Sequence, residues 1–206
     1  ITGEVQVDAD KENSANKFPL VIFSHGAFGY YESNTSTYME LASHGYVVIS
    51  LDHPYHSFFT TDTEGKTITV NPEFMQQAMG INGEDVTEEE VFQLSRKWLN
   101  LRVDDMNLVL DSVKDGVVTA SIPDGVWYVA DEMIGQEVSS VLSMIDTEKI
   151  GLMGHSLGGA TSVTVGRTRT DIDAVIDLDG TMLGEQLNYV DGVYINYDEA
   201  YPVPLL

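Results

Sequence analysis

The chain has 206 residues, of which 43% are hydrophobic, and a formal net charge of −23 that arises from 33 acidic and 10 basic residues. This length and composition predict one domain over residues 1–206, and the excess of carboxylates disfavours binding to nucleic acids or anionic membranes. The sequence shows no apolar run long enough to span a membrane, no signal-peptide pattern and no cysteine, which excludes disulfides and a cysteine nucleophile. These features predict a soluble protein, and they leave its compartment and oligomeric state open.

The first part of the chain alternates apolar strands with a short helix. Strands are predicted over Phe18–Ser24 and Tyr46–Leu51, with a helix over Tyr38–His44 between them. The stretch from Phe58 to Asp85 is polar, contains glycine and has no clear periodicity. It is therefore predicted to be a long, cap-like excursion over the edge of a sheet.

The middle of the chain predicts mainly helix. A long helix is expected over residues 87–114, where Thr87 and Glu90 have the spacing of a capping box. Residues 121–145 are mixed in character, with a helix predicted from about Asp131.

The last part of the chain returns to the alternation of strand and helix. Strands are predicted over Lys149–Met153 and Ala174–Leu178, with a helix over Ala160–Gly166 between them. Val203–Leu206 looks like the start of a fifth strand, and we expect at least one further strand and a helix after Leu206. Continuous apolar strands separated by helices predict an α/β fold, in which a mostly parallel sheet has helices on both faces.

One motif carries the chemistry. Gly154, His155, Ser156, Leu157 and Gly158 match G-x-S-x-G directly after a strand and directly before a helix, as in the nucleophile turn of the α/β-hydrolase fold. Such a sharp turn needs small flanking residues and exposes the serine hydroxyl at the carboxyl edge of the sheet. Ser156 is therefore the predicted nucleophile, and the alternative is a glycine-rich turn that only joins a strand to a helix.

The same fold needs backbone N–H donors for the negative oxygen of a tetrahedral intermediate. One should come from Leu157, which follows the nucleophile, and the second from Ala27 in the loop after the first strand. His25 and Gly26 precede Ala27, and Gly26 lets the backbone approach closely. The alternative for this loop is a tight turn with a structural histidine.

The acid of a catalytic triad should follow the nucleophile in the chain. Asp179 is the predicted acid because it ends the strand that follows Ser156, whereas Asp177 falls inside that strand. The alternative is that Asp179 is a turn or capping residue.

The triad histidine is not evident in the sequence. The five histidines all precede Ser156, and they are His25, His44, His53, His56 and His155. Only His53 and His56 are internal candidates, and their position in the chain would be wrong for the fold. We therefore expect the catalytic histidine to lie beyond Leu206.

With these motifs in hand, the chain resembles the plasma and type II platelet-activating-factor acetylhydrolases and their bacterial relatives. The resemblance runs from Phe18 to Gly180, and Asp179 stands 23 residues after Ser156, as the acid does in that family. The segments that carry it are residues 18–26 (FPLVIFSHG), 41–57 (LASHGYVVISLDHPYHS), 101–105 (LRVDD), 146–162 (DTEKIGLMGHSLGGATS) and 174–180 (AVIDLDG). It implies Ser156 as nucleophile, Asp179 as acid, and Ala27 and Leu157 as oxyanion donors.

These features predict a serine hydrolase of carboxylic esters that works through an acyl-serine intermediate and needs no metal or cofactor. Its expected partner is a small ester or lipid substrate, whose acyl chain could be short, oxidised or polymeric. Acyl transfer to an alcohol, or an inactive hydrolase fold used for binding, are the alternatives. The aromatic residues that could line an acyl pocket, or else only pack the core, are Tyr30, Tyr31, Phe58, Phe59 and Trp127.

Overall fold

A computed structural model describes residues 17–62, 65–119 and 139–206 of the chain. The strands and helices are β1 (Phe18–Ser24), α1 (Thr35–Ser43), β2 (Val47–Leu51), β3 (Phe59–Thr61), β4 (Thr67–Thr69), α2 (Pro72–Gly80), α3 (Glu88–Thr119), β5 (Ile145–His155), α4 (Leu157–Thr168), β6 (Ala174–Leu178), β7 (Gln186–Val190) and β8 (Val193–Asn196). Residues 139–143 are also helical, and a short 3₁₀ turn covers Leu183–Glu185.

The central sheet contains four parallel strands in the order β2, β1, β5, β6. The end of the chain continues this sheet beside β6. Val175 donates from its backbone N–H to the carbonyl of Pro204 at 2.9 Å, and Leu206 donates to the carbonyl of Val175 at 3.1 Å. The predicted start of a fifth strand is confirmed, and its pairing is parallel.

Helices cover both faces of the sheet because side chains along each strand alternate between its two faces. In β1, Leu20 and Ile22 belong to a buried cluster with residues of α3 and α4. Val21 and Phe23 face the other way and pack against Tyr38 of α1. The α3 and α4 side of this core contains Met106, Leu110, Val113, Val163 and Val165. The predicted α/β layering is therefore confirmed.

Most predicted elements are present, with differences at their ends. The bounds of β1 and β6 agree with the prediction, because both strands are continuous apolar runs. The capping box of α3 also forms: Thr87 donates from its N–H to the Glu90 carboxylate at 2.9 Å, and Glu90 donates from its N–H to the Thr87 hydroxyl at 3.2 Å. In contrast, α4 begins directly after Ser156, three residues earlier than predicted, because Leu157, Gly158 and Gly159 already form its first turn.

The predicted excursion from Phe58 to Asp85 is wrong in one respect, because it contains regular structure. Strands β3 and β4 form an antiparallel pair, and α2 follows them. The side chain of Asn71 accepts hydrogen bonds from the backbone N–H groups of Glu73 and Phe74, and Pro72 occupies the first helical position. An asparagine cap followed by proline is a helix-start signal that was available in the sequence.

Two further features bear on the predictions. The β7–β8 hairpin was not predicted, although Asp191 and Gly192 at its turn both have positive φ, as a tight hairpin requires. The helix predicted from about Asp131, up to residue 138, and Trp127 lie outside the described residues. Among the helices that are described, none combines the length and the apolar character needed to cross a bilayer.

Candidate active site

Ser156 stands at the junction of β5 and α4 with a backbone conformation that few non-glycine residues adopt. Its φ is 54° and its ψ is −123°. Residues held in such regions are strained and persist where the surrounding structure enforces the conformation. Here the Ser156 N–H donates to the carbonyl of Leu178 at 3.0 Å, which ties the turn to the end of β6. The predicted nucleophile therefore sits on a sharp strand-to-helix turn.

The glycines on either side of Ser156 are required by close backbone contacts. A Cβ atom added to Gly154 would lie 2.2 Å from the carbonyl oxygen of Gly158. One added to Gly158 would lie 2.0 Å from the carbonyl oxygen of Ser24, at the end of β1. Real Cβ atoms do not approach backbone so closely, so the sequence GHSLG is fitted to this turn.

The loop after β1 lies directly against the serine turn. A Cβ atom added to Gly26 would be 3.3 Å from Cβ of Ser156. Ala27 follows in this loop, and its N–H donates no hydrogen bond to any other residue that the structure describes. The N–H of Leu157 belongs to the first turn of α4, where backbone donors have no partner inside the helix. The structure thus brings both predicted oxyanion donors close to Ser156.

A shared apolar cluster supports both of these residues from below. Ala27 and Leu157 each pack against a buried cluster that contains Phe74 of α2 and Trp98 of α3. Phe74 also stacks on the ring of His56, with 3.9 Å between ring centroids. Helix α2, which lies in the predicted excursion, therefore contributes to the support of the site.

The aspartate inside β6 and the one just after it have different environments. Asp179 has a φ of 53°, is exposed and follows the last strand residue, at the same edge of the sheet as Ser156. Asp177 instead lies beneath the turn, where its Oδ1 would be 1.8 Å from a Cβ atom added to Gly159. That oxygen is buried without a hydrogen-bond partner among the described residues, and burial raises the pKa of Asp177. Position therefore favours Asp179 over Asp177 as the acid, although Asp179 makes no hydrogen bond to Ser156.

The two histidines considered as internal bases are both buried and point elsewhere. His53 is 0% exposed, donates from Nδ1 to the Asp105 carboxylate at 2.8 Å, and accepts at Nε2 from the Ser24 hydroxyl at 2.8 Å. His56 accepts at Nδ1 from Nε of Arg102 at 3.3 Å. Burial and the Arg102 charge lower the pKa of His56 to about 4, and burial holds the pKa of His53 well below its usual range. Neither ring is placed to take a proton from Ser156.

The other three histidines also make no hydrogen bond to Ser156. His25 is buried and donates from Nδ1 to the Gly26 carbonyl at 2.6 Å, while the Ser57 hydroxyl donates to its Nε2 at 2.8 Å. Burial, with a smaller contribution from the Arg102 charge, lowers the pKa of His25 to about 2. His44 is exposed at the end of α1, and His155 is exposed beside the nucleophile without a hydrogen bond to it. None of the five histidines hydrogen-bonds to Ser156 in the described structure, and the position of a triad histidine stays a prediction.

Sequence reasoning missed one residue of this region. Arg102 of α3 is 0% exposed and donates hydrogen bonds to the carbonyls of His25 and Gly26 in the loop that carries Ala27. In the sequence, Arg102 is a single basic residue at helical spacing from the apolar residues Trp98, Leu99 and Met106, and nothing in this pattern indicated its acceptors.

The aromatic residues predicted to line a pocket are partly brought together. Tyr30 stacks on Phe59 with 5.2 Å between centroids, and Tyr30 and Tyr31 meet edge to face at 6.1 Å. Phe58 and Phe59 are 56% and 41% exposed, and the Phe58 N–H donates to the Gly29 carbonyl in the loop after Ala27. Their role in binding an acyl group stays a prediction. The described residues contain no group of three or more His, Asp or Glu side chains that could hold a metal ion.

The sequence of the chain was compared with known proteins and protein families. The family model for platelet-activating factor acetylhydrolase, isoform II, matches residues 1–190. The chain is 27% identical to the platelet-activating factor acetylhydrolase of Bos taurus, over 73% of this chain and 32% of that protein. It is 32% identical to cutinase 2 of Thermobifida cellulosilytica, over 42% of this chain and 34% of that protein. The chain thus spans about a third of the length of the relatives it matches.

Among solved structures, a ferulic acid esterase from Streptomyces cinnamoneus superposes with a TM-score of 0.50 and 25% sequence identity. The superposition covers 81% of this chain and 37% of the esterase. Together with the parallel sheet and the serine turn, this likeness confirms the predicted α/β-hydrolase fold.

The buried histidines predict that the fold loses stability in acid. Because the pKa of His56 falls from 6.5 to about 4 on folding, the unfolded chain binds a proton more readily between these pH values. The free energy of unfolding should therefore fall as the pH drops from about 6.5 to about 4, and His25 and His53 act in the same direction. Urea unfolding across this pH range measures the loss.

A pair of histidine variants tests the cause. His56→Gln keeps an acceptor for Arg102 and removes the ionisable ring. The decrease in its free energy of unfolding between pH 6.5 and pH 4 should therefore be smaller by on the order of 2 kcal/mol. His44→Gln, at an exposed histidine, should behave as the unaltered protein does. Burial raises the pKa of Asp105 to about 6, which opposes the trend and limits its size. If the free energy of unfolding decreased equally in both variants between pH 6.5 and pH 4, His56 would not be a cause of the loss of stability in acid.

Proposed function

Because the chain belongs to the platelet-activating factor acetylhydrolase isoform II family, we propose that it is a serine hydrolase of carboxylic esters, with Ser156 as nucleophile. The observation that carries this proposal is the backbone of Ser156, which is held at a φ of 54° between a buried strand and the first turn of a helix. A strained turn of this kind has no evident structural use, and it is the arrangement that exposes a nucleophilic hydroxyl.

The proposed reaction has two stages. A general base takes the proton of Ser156 as its Oγ attacks the ester carbonyl, and the carbonyl oxygen becomes negatively charged. The N–H groups of Ala27 and Leu157 donate to this oxygen, and the alcohol then leaves with the proton. Water, deprotonated by the same base, attacks the acyl-serine, which releases the acid and restores the hydroxyl.

Two features of the turn would help this chemistry. The N-terminus of α4 carries a partial positive charge that favours negative charge at the adjacent oxyanion. A Cβ atom added to Gly26 would lie 3.3 Å from Cβ of Ser156, so the loop that carries the Ala27 N–H runs close to the serine. Both donors exist before substrate binds, so stabilising the charge requires little rearrangement.

The remaining triad roles are assigned by elimination. Asp179 is proposed as the acid, since it is exposed at the edge where Ser156 lies, whereas Asp177 is turned under the helix. The base is proposed to be a histidine outside the 206 residues. The rings of His25, His53 and His56 are buried and make hydrogen bonds to groups other than Ser156.

The proposed substrate is a small ester or a lipid ester with a neutral or cationic alcohol part. The relatives' names specify platelet-activating factor, cutin and ferulic acid as the compounds on which those proteins act. The net charge of −23 would repel strongly anionic esters over about a Debye length. The exposed rings of Phe58 and Phe59 offer apolar surface close to the loop of Ala27.

Replacement of the nucleophile tests this proposal directly. In the full-length protein, Ser156→Ala should lower kcat for p-nitrophenyl acetate by about 10³-fold or more, because the acyl-serine can no longer form. A fluorophosphonate probe should label the unaltered protein at Ser156 and leave this variant unlabelled.

Ser43→Ala, at an exposed serine near the end of α1, is the matched control and should keep full turnover and labelling. Retained turnover in Ser156→Ala would overturn the proposal. An unaltered protein that neither turns over esters nor reacts with the probe would identify an inactive fold instead.

The choice of acid is tested by a pair of amide variants. Asp179→Asn should reduce kcat by about 10³- to 10⁴-fold, because a neutral amide neither orients nor stabilises a protonated histidine. Asp177→Asn should have a much smaller effect on kcat, although it changes stability, because its oxygen is buried beneath the turn. If Asp177→Asn lost activity and Asp179→Asn kept it, the two roles would have to be exchanged.

A further inference from the structure

Arg102 is an unusual component of the core of this fold. It is the largest fully buried side chain among the residues that the structure describes, and burying a guanidinium away from water is costly unless strong interactions compensate. Within the described part of the chain, all three of its hydrogen bonds go to neutral acceptors. The Asp105 charge, one turn later in α3, stabilises the cation only from a distance. Apolar residues of similar volume often stabilise a core as well as such a group does, so its stability alone does not explain this arginine.

The acceptors of Arg102 are concentrated in one loop. Nη1 donates to the carbonyl of His25 at 2.5 Å, and Nη2 donates to the carbonyl of Gly26 at 3.3 Å. Nε donates to Nδ1 of His56 at 3.3 Å, and the carbonyl of His56 in turn accepts from the N–H of Phe28. The guanidinium therefore contacts the backbone just before Ala27 directly and the backbone just after it through His56.

The carbonyl of Gly26 is the point where several donors meet. Besides Arg102, it accepts from Nδ1 of His25 at 2.6 Å and from the N–H of Gly29 at 3.2 Å. In a trans peptide the C=O and the following N–H point in opposite directions. Fixing the Gly26 carbonyl toward the core therefore turns the Ala27 N–H away from Arg102. As noted above, the Ala27 N–H donates to no other described residue.

We propose that Arg102 is a positioning residue of the esterase site, whose guanidinium holds the His25 and Gly26 carbonyls so that the Ala27 N–H is aimed at the oxyanion. This inference rests on the proposed function. Arg102 touches neither the substrate nor Ser156 and acts through the loop alone. A planar fork can hold two adjacent carbonyls at once, whereas the ammonium of lysine is a compact charge that does not reproduce this geometry.

The consequence for the reaction is selective. A donor aimed at the oxyanion strengthens its hydrogen bond as charge develops, so misaiming it affects the transition state more than the bound substrate. Loss of a whole oxyanion donor typically costs about 10²- to 10³-fold in turnover. A donor that is still present and only misaimed should cost less, so we expect an effect of about 10- to 100-fold.

The test compares Arg102→Lys with Arg96→Lys in the full-length protein. Arg96 lies on the same helix and contacts the ring of Phe92 instead of the loop. Active sites are counted by fluorophosphonate titration, so that kcat refers to folded protein only. Arg102→Lys should lower kcat by about 10- to 100-fold with KM within about twofold, and Arg96→Lys should change neither.

A second variant and a measurement without mutation guard against misfolding. Arg102→Gln removes the buried charge but keeps a planar amide donor. It should therefore fold, and its kcat should lie between those of Arg102→Lys and the unaltered protein. In unaltered protein labelled with ¹⁵N-arginine, the Nη protons of Arg102 should give separate, slowly exchanging signals. A single averaged signal that exchanges rapidly would overturn the proposal, whichever variants fold.

The outcomes separate this inference from the function it rests on. If turnover depends on Ser156 but either folded Arg102 variant keeps its kcat per titrated site, only the positioning role fails. Lower thermal stability with unchanged kcat per site would likewise assign Arg102 a purely structural role. If the unaltered protein has no Ser156-dependent turnover, the proposed function fails, and the arginine signals still report whether the fork is held.

Discussion

The rest of the site depends on one backbone constraint, the positive φ of Ser156 between β5 and α4. The hydrogen bond from its N–H to the Leu178 carbonyl holds the turn against β6, and close contacts leave no room for side chains at Gly154 or Gly158. The same constraint starts α4 at Leu157, so the N–H of Leu157 has no partner inside the helix and lies at the carboxyl edge of the sheet. In the proposed reaction, Ser156 therefore presents the hydroxyl, and the N–H of Leu157 beside it is one of the two proposed oxyanion donors.

The second proposed donor, the N–H of Ala27, requires a different kind of support, because Ala27 lies in a loop and not in a helix. Next to this loop, a layer of buried polar groups connects β1, the loop after β2, and α3. The central members of this layer are Arg102, His53 and His56. Burying the histidines and a guanidinium without a carboxylate in direct contact is costly, and the hydrogen bonds of this layer offset that cost while they fix its geometry. Its hydrogen bonds determine where the backbone around Gly26 points, and that orientation is what the proposed chemistry needs.

Local patterns predicted a large part of this structure. Continuous apolar residues defined β1 and β6, and the motif around Ser156 located the sharp strand-to-helix turn, because the geometry of this turn depends on neighbours in the chain. The β7–β8 hairpin was missed although Asp191 and Gly192 are typical hairpin-turn residues, because its strands have only five and four residues and mostly exposed side chains, so no buried strand pattern marks them. The role of Arg102 could not be predicted, because its acceptors lie 76 and 77 residues away and only the fold brings them together.

The central claim is that Ser156 attacks beneath two backbone donors, and the structure of a covalent phosphonate adduct of the full-length protein tests it most directly. The account requires a bond between phosphorus and Oγ of Ser156, with the phosphonyl oxygen about 2.7 to 3.1 Å from the N atoms of both Ala27 and Leu157. Phosphorus attached to another residue, or an oxygen that faces away from these two N–H groups, would contradict it.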